Sequence, residues 1–171
     1  MTILVDWQIA ERCRAGMVSP FDPELVNPAS LDVRLGDTLL IESVEGPEMK
    51  PYPLSQHSEA DPYLLRPGQF VLGCTVEQFN IPGDLAAEFM LVSSRAREGL
   101  NNLFAGFCDP GWHGSVLTLE LHNVRQLHSQ RLWPRMRIGQ IVFEYLAATP
   151  ARSYAETGRY NGDTTVQGSR G

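Results

Sequence analysis

The sequence of 171 residues has a single lysine, Lys50, and a net charge of −6. A general nucleic-acid-binding protein displays a basic face, so this charge argues against that class but not against binding one phosphate-bearing small molecule. The sequence has no apolar run of about 18 residues and no signal-peptide pattern, so we expect neither a membrane-spanning helix nor a leader. The three cysteines are odd in number and widely spaced, which favours reduced thiols and a cytoplasmic location, of a cell or of a virus's host.

Several catalytic motifs are missing as well. Zinc-dependent nucleobase deaminases carry His-x-Glu followed by Pro-Cys-x-x-Cys. Residues 57–59 match the first half, but no two cysteines lie within four residues of each other and none follows a proline. The sequence also has no Lys-Ser or Lys-Thr phosphate-binding loop and no Gly-x-Ser-x-Gly elbow. We therefore expect no zinc, and a chemistry carried by carboxylate, hydroxyl and arginine.

What the sequence does contain is a series of short apolar runs. Residues 6–15 have helical spacing, with Asp6 as the N-cap and Gly16 as the stop. Further runs alternate with Pro, Gly, Asn and Asp, which is typical of an all-β barrel or sandwich. The predicted strands are residues 31–35, 38–42, 63–65, 69–75, 86–92, 115–122 and 138–145. Residues 93–99 predict a short internal helix, and residues 147–171 predict a mobile tail on a single domain spanning 1–171.

The predicted strand at 115–122 places a carboxylate opposite its leucines. Leu117, Leu119 and Leu121 share one face by the two-residue period, and we expect this face to point into the core. Glu120 lies on the other face. It is either a solvated residue on a sheet surface or a carboxylate in a pocket, where burial would raise its pKa and let it transfer a proton.

Two further segments carry polar groups. Residues 105–114 hold three glycines and a proline around Asp109, which predicts either a tight turn that approaches a ligand or an ordinary capped hairpin turn. Residues 93–97 (Ser-Ser-Arg-Ala-Arg) offer hydroxyls, guanidinium groups and a predicted helix N-terminus. All of these bind phosphate, although a capped surface helix has the same pattern.

Together these segments resemble the dCTP deaminase family of the dCTP deaminase and dUTPase superfamily. The most specific element is Asp-Pro-Gly-Trp-His-Gly at 109–114, followed at the family's spacing by Leu-Glu at 119–120 and preceded by Ser-Ser-x-Ala-Arg at 93–97. The resemblance extends to residues 20–23, 30–36, 65–73 and 138–140. It implies a distorted, jelly-roll-related β-barrel of the dUTPase type, assembled as a homotrimer with sites between subunits. It also implies Mg²⁺ that travels with the nucleotide triphosphate.

The resemblance implies roles for individual residues. Glu120 matches the base that activates water for attack at C4 of cytosine, and Ser93 and Arg97 match essential partners beside it. Asp109 matches the aspartate that reads the deoxyribose 3′-hydroxyl, and Ala105 matches the residue whose carbonyl holds the amino group or water near C4. The tail is implied to close over the triphosphate. The other implied substrate-binding residues are Ser94, Thr118, Leu119, Gln140, Tyr154, Arg159, Tyr160 and Asp163.

Some positions depart from the family's pattern. Leu91 and Val92 stand where the family usually has glycine and a basic residue, and Asp163 stands where a tail glutamine is expected. Residues 101–104 are one residue shorter than usual and lack the His and Thr tied in the family to feedback by dTTP. The Ala-Gly-Phe-x-Asp form at 105–109 is more similar to the bifunctional, dUMP-forming members.

Three functions remain open on the sequence. The first is zinc-independent deamination of dCTP to dUTP, with or without onward hydrolysis to dUMP and pyrophosphate. The second is dUTP diphosphatase activity, which would leave Glu120 unexplained. The third is nucleotide binding by a regulatory protein on the same scaffold, which Val92 and the short 101–104 loop favour.

Overall fold

The computed structural model describes residues 2–171, and most of its regular structure is antiparallel strand. The helices are α1 (Asp6–Arg14), α2 (Ser93–Glu98) and α3 (Tyr154–Thr157). The strands are β1 (Thr2–Ile3), β2 (Val18–Ser19), β3 (Val26–Asn27), β4 (Ser30–Arg34), β5 (Thr38–Ser43), β6 (Gly46–Pro53), β7 (Tyr63–Leu65), β8 (Phe70–Asn80), β9 (Leu85–Leu91), β10 (Leu100–Asn101), β11 (Phe107–Cys108), β12 (His113–Asn123), β13 (Gln130–Leu132) and β14 (Arg137–Tyr145). Within residues 2–171, no helix is both long and apolar enough to cross a membrane.

Two six-stranded sheets make up the body of the fold. The first has the order β11-β9-β14-β4-β3, with β1 also paired to β14, and the second has the order β10-β12-β8-β5-β6, with β2 also paired to β8. β7 and β13 form a separate two-stranded antiparallel sheet. A single bridge outside the strands, between Leu35 and Thr75, connects the two sheets in the described part of the chain. The fold is therefore two sheets around one core rather than a closed barrel.

The core lies between the inward faces of these sheets. Val33, Phe89 and Phe143 come from the first sheet, and Leu39 and Leu121 from the second; each of these five is at most 3% exposed. Burying side chains of this size contributes about 1.5–3 kcal/mol each, so alternating apolar positions fix the register of both sheets. The all-β prediction is confirmed.

The structure corrects three local predictions. Asp6 is the first residue of α1 rather than its cap; Val5 occupies the cap position, and its backbone N–H donates to the side chain of Gln8 at 3.1 Å. β6 was not predicted. It is an edge strand that contains three prolines, which are tolerated there because the outer side of an edge strand forms no ladder.

The third correction concerns Leu117, which was expected in the core with Leu119 and Leu121. The pairing of β12 with β8 shifts register between Val116 and Thr118. At this irregularity the backbone N–H of Leu117 donates to the Thr75 hydroxyl at 3.0 Å instead of to the ladder. Leu119 and Leu121 are buried, whereas Leu117 is only partly buried and reaches the surface of a cavity.

Candidate active site

A cavity of about 1090 Å³ lies against the outward face of the second sheet. Its floor comes from β5, β8 and β12, one wall comes from the β5–β6 hairpin and another from the loop before β12. Residues of the tail form the remaining wall. Several elements far apart in sequence thus contribute to one concave site, as in most small-molecule sites.

Glu120 stands on the floor of the cavity among aliphatic side chains. The strand register places Leu72 of β8 directly opposite Glu120, and Leu40 of β5 opposite Leu72. Burial among these groups raises the pKa of Glu120, and a hydrogen bond from its own backbone lowers it to a smaller extent. A carboxyl group with a raised pKa holds an accepted proton more readily and can later return it.

The loop before β12 brings Ala105 and Asp109 to the cavity. Ala105 follows two consecutive residues in the left-handed region, Leu103 at φ 52° and Phe104 at φ 59°, and the Phe104 ring is 92% exposed. Left-handed backbone costs a non-glycine residue about 1–2 kcal/mol. Strain of this kind is typical of functional loops.

Gly111 allows the tail to approach this loop closely. Its φ is +87°, and a Cβ atom there would lie 2.1 Å from the Ser153 hydroxyl and 3.1 Å from the Ala155 nitrogen. The Tyr154 N–H donates to the Pro110 carbonyl at 3.0 Å. Only glycine therefore fits at the point where α3 packs on the loop.

The tail continues beside β12. The Trp112 indole N–H donates to the Tyr160 carbonyl at 2.9 Å, and the Val116 N–H donates to the Asp163 carbonyl at 2.8 Å. The Gln167 N–H donates to the Thr118 hydroxyl at 3.3 Å. Tyr154, Tyr160, Asp163 and Thr118 all line the cavity as a result.

The charged side chains that line the cavity are acidic. Within residues 2–171, its lining includes the carboxylates of Glu48, Asp109, Glu120 and Asp163 and no lysine, arginine or histidine. The same part of the chain has no group of three or more His, Cys, Asp or Glu side chains arranged to hold a metal ion. A ligand rich in phosphate would meet carboxylates here, so the cations for such a ligand must come from outside this lining.

Other residues implied by the resemblance lie away from the cavity. Ser93, Ser94 and Arg97 are exposed on α2, which lies between β9 and β10. The side chain of Gln140 accepts a hydrogen bond from the Ser30 hydroxyl at 2.8 Å on the first sheet. None of these side chains lines the cavity.

Two other implied residues have side chains that point elsewhere. Leu119 is 1% exposed and belongs to the core, so only its main chain can reach a ligand. Arg159 is exposed and does not line the cavity, whereas its neighbour Tyr160 does. The described structure thus brings together Ala105, Asp109, Thr118, Glu120, Tyr154, Tyr160 and Asp163.

Sequence patterns missed an apolar part of the site. Leu40, Met49, Phe70 and Leu72 line the cavity beside Glu120, and Val166 of the tail packs on this group. Leu40 and Leu72 lie in strands that were predicted, and alternation places them on the face away from the main core. The strand β6, which pairs with β5, was not predicted, so the sequence did not indicate that other residues cover this face of the sheet.

Comparison with known proteins places the chain in a family. A sequence model described as dCTP deaminase-like matches residues 3–146. The chain belongs to this family. Relatives named "dCTP deaminase, dUMP-forming" match over nearly the whole chain: 38% identity in Clavibacter michiganensis subsp. michiganensis (99% of this chain, 87% of the relative) and 39% in Beutenbergia cavernae (98% and 94%).

The fold of the family is also present in a solved structure. The crystal structure of 2′-deoxycytidine 5′-triphosphate deaminase from Agrobacterium tumefaciens matches with a TM-score of 0.69 at 21% identity. The match covers 85% of this chain and 48% of that chain. The likeness supports the dUTPase-type fold that the sequence predicts.

Proposed function

We propose that the protein deaminates dCTP without zinc and converts the product to dUMP and pyrophosphate. The observation that carries this proposal is the position of Glu120, a carboxylate of raised pKa on the aliphatic floor of the cavity, in a chain of the dCTP deaminase-like family. The relatives named as dUMP-forming support the second step. The Ala-Gly-Phe-x-Asp sequence at 105–109 supports it as well.

Deamination replaces the C4 amino group of cytosine with oxygen. Glu120 takes a proton from water, and the resulting hydroxide attacks C4. The tetrahedral intermediate then loses ammonia, to which Glu120 returns the proton. One carboxyl group can serve both steps because it accepts the proton in the first and donates it in the second, and burial, which raises its pKa, favours the protonated form that the second step needs. The main-chain carbonyl of Ala105 is suited to hold the amino group or the water.

The second step breaks the bond between the α-phosphorus of dUTP and its bridging oxygen. Water attacks the α-phosphorus, and pyrophosphate leaves. Asp109 lies on the cavity wall and could orient this water while accepting a hydrogen bond from the 3′-hydroxyl. We assign to Asp109 a role in both binding and hydrolysis.

The charge of the cavity supports a site shared between subunits. Four lining carboxylates do not suit a triphosphate, whereas Ser93, Ser94 and Arg97 are exposed on α2, away from the cavity, and offer hydroxyl and guanidinium groups suited to phosphate. We propose a homotrimer in which α2 of one subunit completes the cavity of the next. Gln140 and the exposed rings of Phe104 and Phe107 would lie near this junction.

Magnesium fits this arrangement as a companion of the substrate. The described residues form no three-ligand cluster, but scattered carboxylates tolerate a cation that phosphate oxygens already hold. Bound in that way, Mg²⁺ neutralises part of the phosphate charge. Residues 1–171 would act as one domain, in which the tail at 147–171 opens for exchange of the nucleotide and closes over the triphosphate.

The three cysteines are unpaired, which is consistent with a reducing cytoplasm as the location that we propose.

A product assay tests the proposal. The protein is incubated with dCTP and Mg²⁺ while ammonia, dUTP, dUMP and pyrophosphate are quantified. We expect ammonia and dUMP in equal amounts, and we expect Glu120→Gln to lower kcat by about 10²–10⁴-fold because the base is lost.

The matched control is Glu11→Gln, which removes the same charge from an exposed position on α1 and should leave the rate unchanged. Hydrolysis of dUTP with no ammonia from dCTP would indicate a diphosphatase instead. Tight nucleotide binding without turnover would indicate a regulatory protein.

A further inference from the structure

Arg170 of the tail lies beside the cavity but is not one of its lining residues. Its guanidinium donates to Asp163 and to the Arg159 carbonyl, and it lies over the Tyr160 ring with 5.2 Å to the ring centroid. Its backbone N–H donates to the Tyr160 hydroxyl at 3.2 Å. Asp163 and Tyr160 both line the cavity, as does Ser169, which precedes Arg170. The arginine is thus held at the rim by groups of the cavity wall.

The guanidinium retains donors for a ligand. An arginine side chain has five N–H donors in a planar fork, and two bonds to Asp163 and Arg159 account for part of them. The side chain is 39% exposed. A planar guanidinium fixed by a carboxylate and an aromatic ring is arranged to bind phosphate oxygens in pairs.

The position of Arg170 along the site matches the phosphate end of a nucleotide. The Asp163 carbonyl accepts a hydrogen bond from Val116, which lies four residues before Glu120 on β12, at most about 13 Å away along the strand. A cytosine held with C4 at Glu120 directs its terminal phosphates away from Glu120. The carboxylate of Asp163 alone would repel these phosphates, and its pairing with Arg170 offsets that repulsion.

We propose that Arg170 is a further phosphate-binding residue of this site and contacts the phosphates beyond the α-phosphate, with Asp163 and Tyr160 as the residues that position it. The proposal rests on the proposed function, because it takes a deoxycytidine nucleotide as the ligand. It also accounts for an aspartate at position 163, where the family's pattern has a glutamine: aspartate can hold an arginine in place.

Nucleotide binding distinguishes this role from a structural one. In protein carrying Glu120→Gln, which prevents turnover, the dissociation constants of dCTP and dCMP are measured by calorimetry with Mg²⁺ present. We expect Arg170→Gln to weaken dCTP binding by about 10–100-fold, as loss of a charged hydrogen bond does, and to change dCMP binding less than about two-fold. The dissociation constant of dCTP for Arg170→Lys should lie between those of the unchanged protein and of Arg170→Gln, because lysine keeps the charge but lacks the planar pair of donors.

The matched control is Arg14→Gln, an exposed arginine on α1, which should leave both dissociation constants unchanged. Equal weakening of dCTP and dCMP would show that Arg170 only fastens the tail, and unchanged dCTP binding would overturn the assignment outright. The KM for dCTP of the Arg170 variants with Glu120 intact is measured in parallel. If protein with Arg170 intact neither binds nor deaminates dCTP, the proposed function fails and this inference fails with it.

Discussion

Glu120 differs from the other carboxylates of the cavity in its neighbours. Leu72 and Leu40 flank it on the sheet, whereas Asp163 is bonded to Arg170 and Asp109 lies in a turn. Burial on the aliphatic floor raises the pKa of Glu120. These aliphatic neighbours distinguish Glu120, the carboxylate that we propose as the base, from the other three.

The raised pKa predicts the acid limb of the pH profile. Glu120 must be ionised to accept a proton from water, so kcat/KM should rise with pH through the pKa of this group and then level off. Because burial raises that pKa, the midpoint should lie above about 4.3, the ordinary glutamate value. Initial rates of ammonia release from dCTP between pH 4 and 8 give the midpoint. A midpoint at the ordinary value would show that the base lies elsewhere or is hydrated.

At the scale of elements, β12 was the most predictable part of the site. Its strand character and the outward direction of Glu120 follow from alternation, and Leu119 and Leu121 are buried as expected. Leu117 departs at the register shift, where its backbone N–H donates to Thr75, a residue of another strand. Local periodicity cannot indicate such a shift, because it involves a contact between residues far apart in sequence.

The hairpin of β5 and β6 and the tail were the least predictable elements. The prolines of β6 weaken its strand signal, and the tail has almost no apolar periodicity. Val166 is nevertheless 5% exposed, since it packs on Leu72 and Cys74. Its burial depends on a surface that other strands build, so composition alone predicts only mobility, which stays a prediction.

The contact between Val166 and Cys74 provides a test of tail opening. Cys74 is 6% exposed, and burial raises its pKa to about 11, so alkylation requires the tail to move away. We expect dCTP with Mg²⁺ to slow iodoacetamide labelling of Cys74 in Glu120→Gln protein, and Val166→Ala to accelerate it. Mass spectrometry of labelled peptides gives the rates.

Cys13 serves as the internal reference for this measurement. It is 3% exposed on the face of α1 that packs in the main core, so its labelling should respond to neither dCTP nor Val166→Ala. Cys108 is unsuitable because it lines the cavity, where a nucleotide would shield it directly. Labelling of Cys74 at the same rate with and without nucleotide would contradict closure of the tail on the substrate.

At the scale of the whole molecule, one chain holds the two halves of the predicted site on separate surfaces. Glu120 and Asp109 face the cavity, while Ser93 and Arg97 are exposed on α2. The sequence could predict both sets, because each has its own motif. It could not indicate that they fail to meet within a chain, since that depends on how the sheets place α2.

Subunit mixing tests whether a second chain completes the site. Glu120→Gln and Arg97→Gln proteins, each inactive alone, are coexpressed or are denatured and refolded together. A site between two subunits then regains one intact cavity and one intact α2 in about one quarter of random pairings, so dCTP deamination should return to roughly that fraction of the wild-type rate.

The control mixture combines Glu120→Gln with Asp109→Asn. Both residues line the same cavity, so every cavity in the mixture carries a substitution and no activity should return. Equal recovery in the two mixtures would indicate exchange artefacts, and no recovery in the first would place the whole site within one chain.

The aliphatic surroundings of Glu120 also affect how the free energy of unfolding depends on pH. Its pKa is higher in the folded protein than in the unfolded chain, so between these two values the folded state binds more protons. This contribution to stability is full below the unfolded pKa and is lost as the pH rises through the folded pKa. The ionised form of Glu120 that the proposed mechanism requires is therefore also the form in which this residue makes the fold less stable than a neutral side chain would.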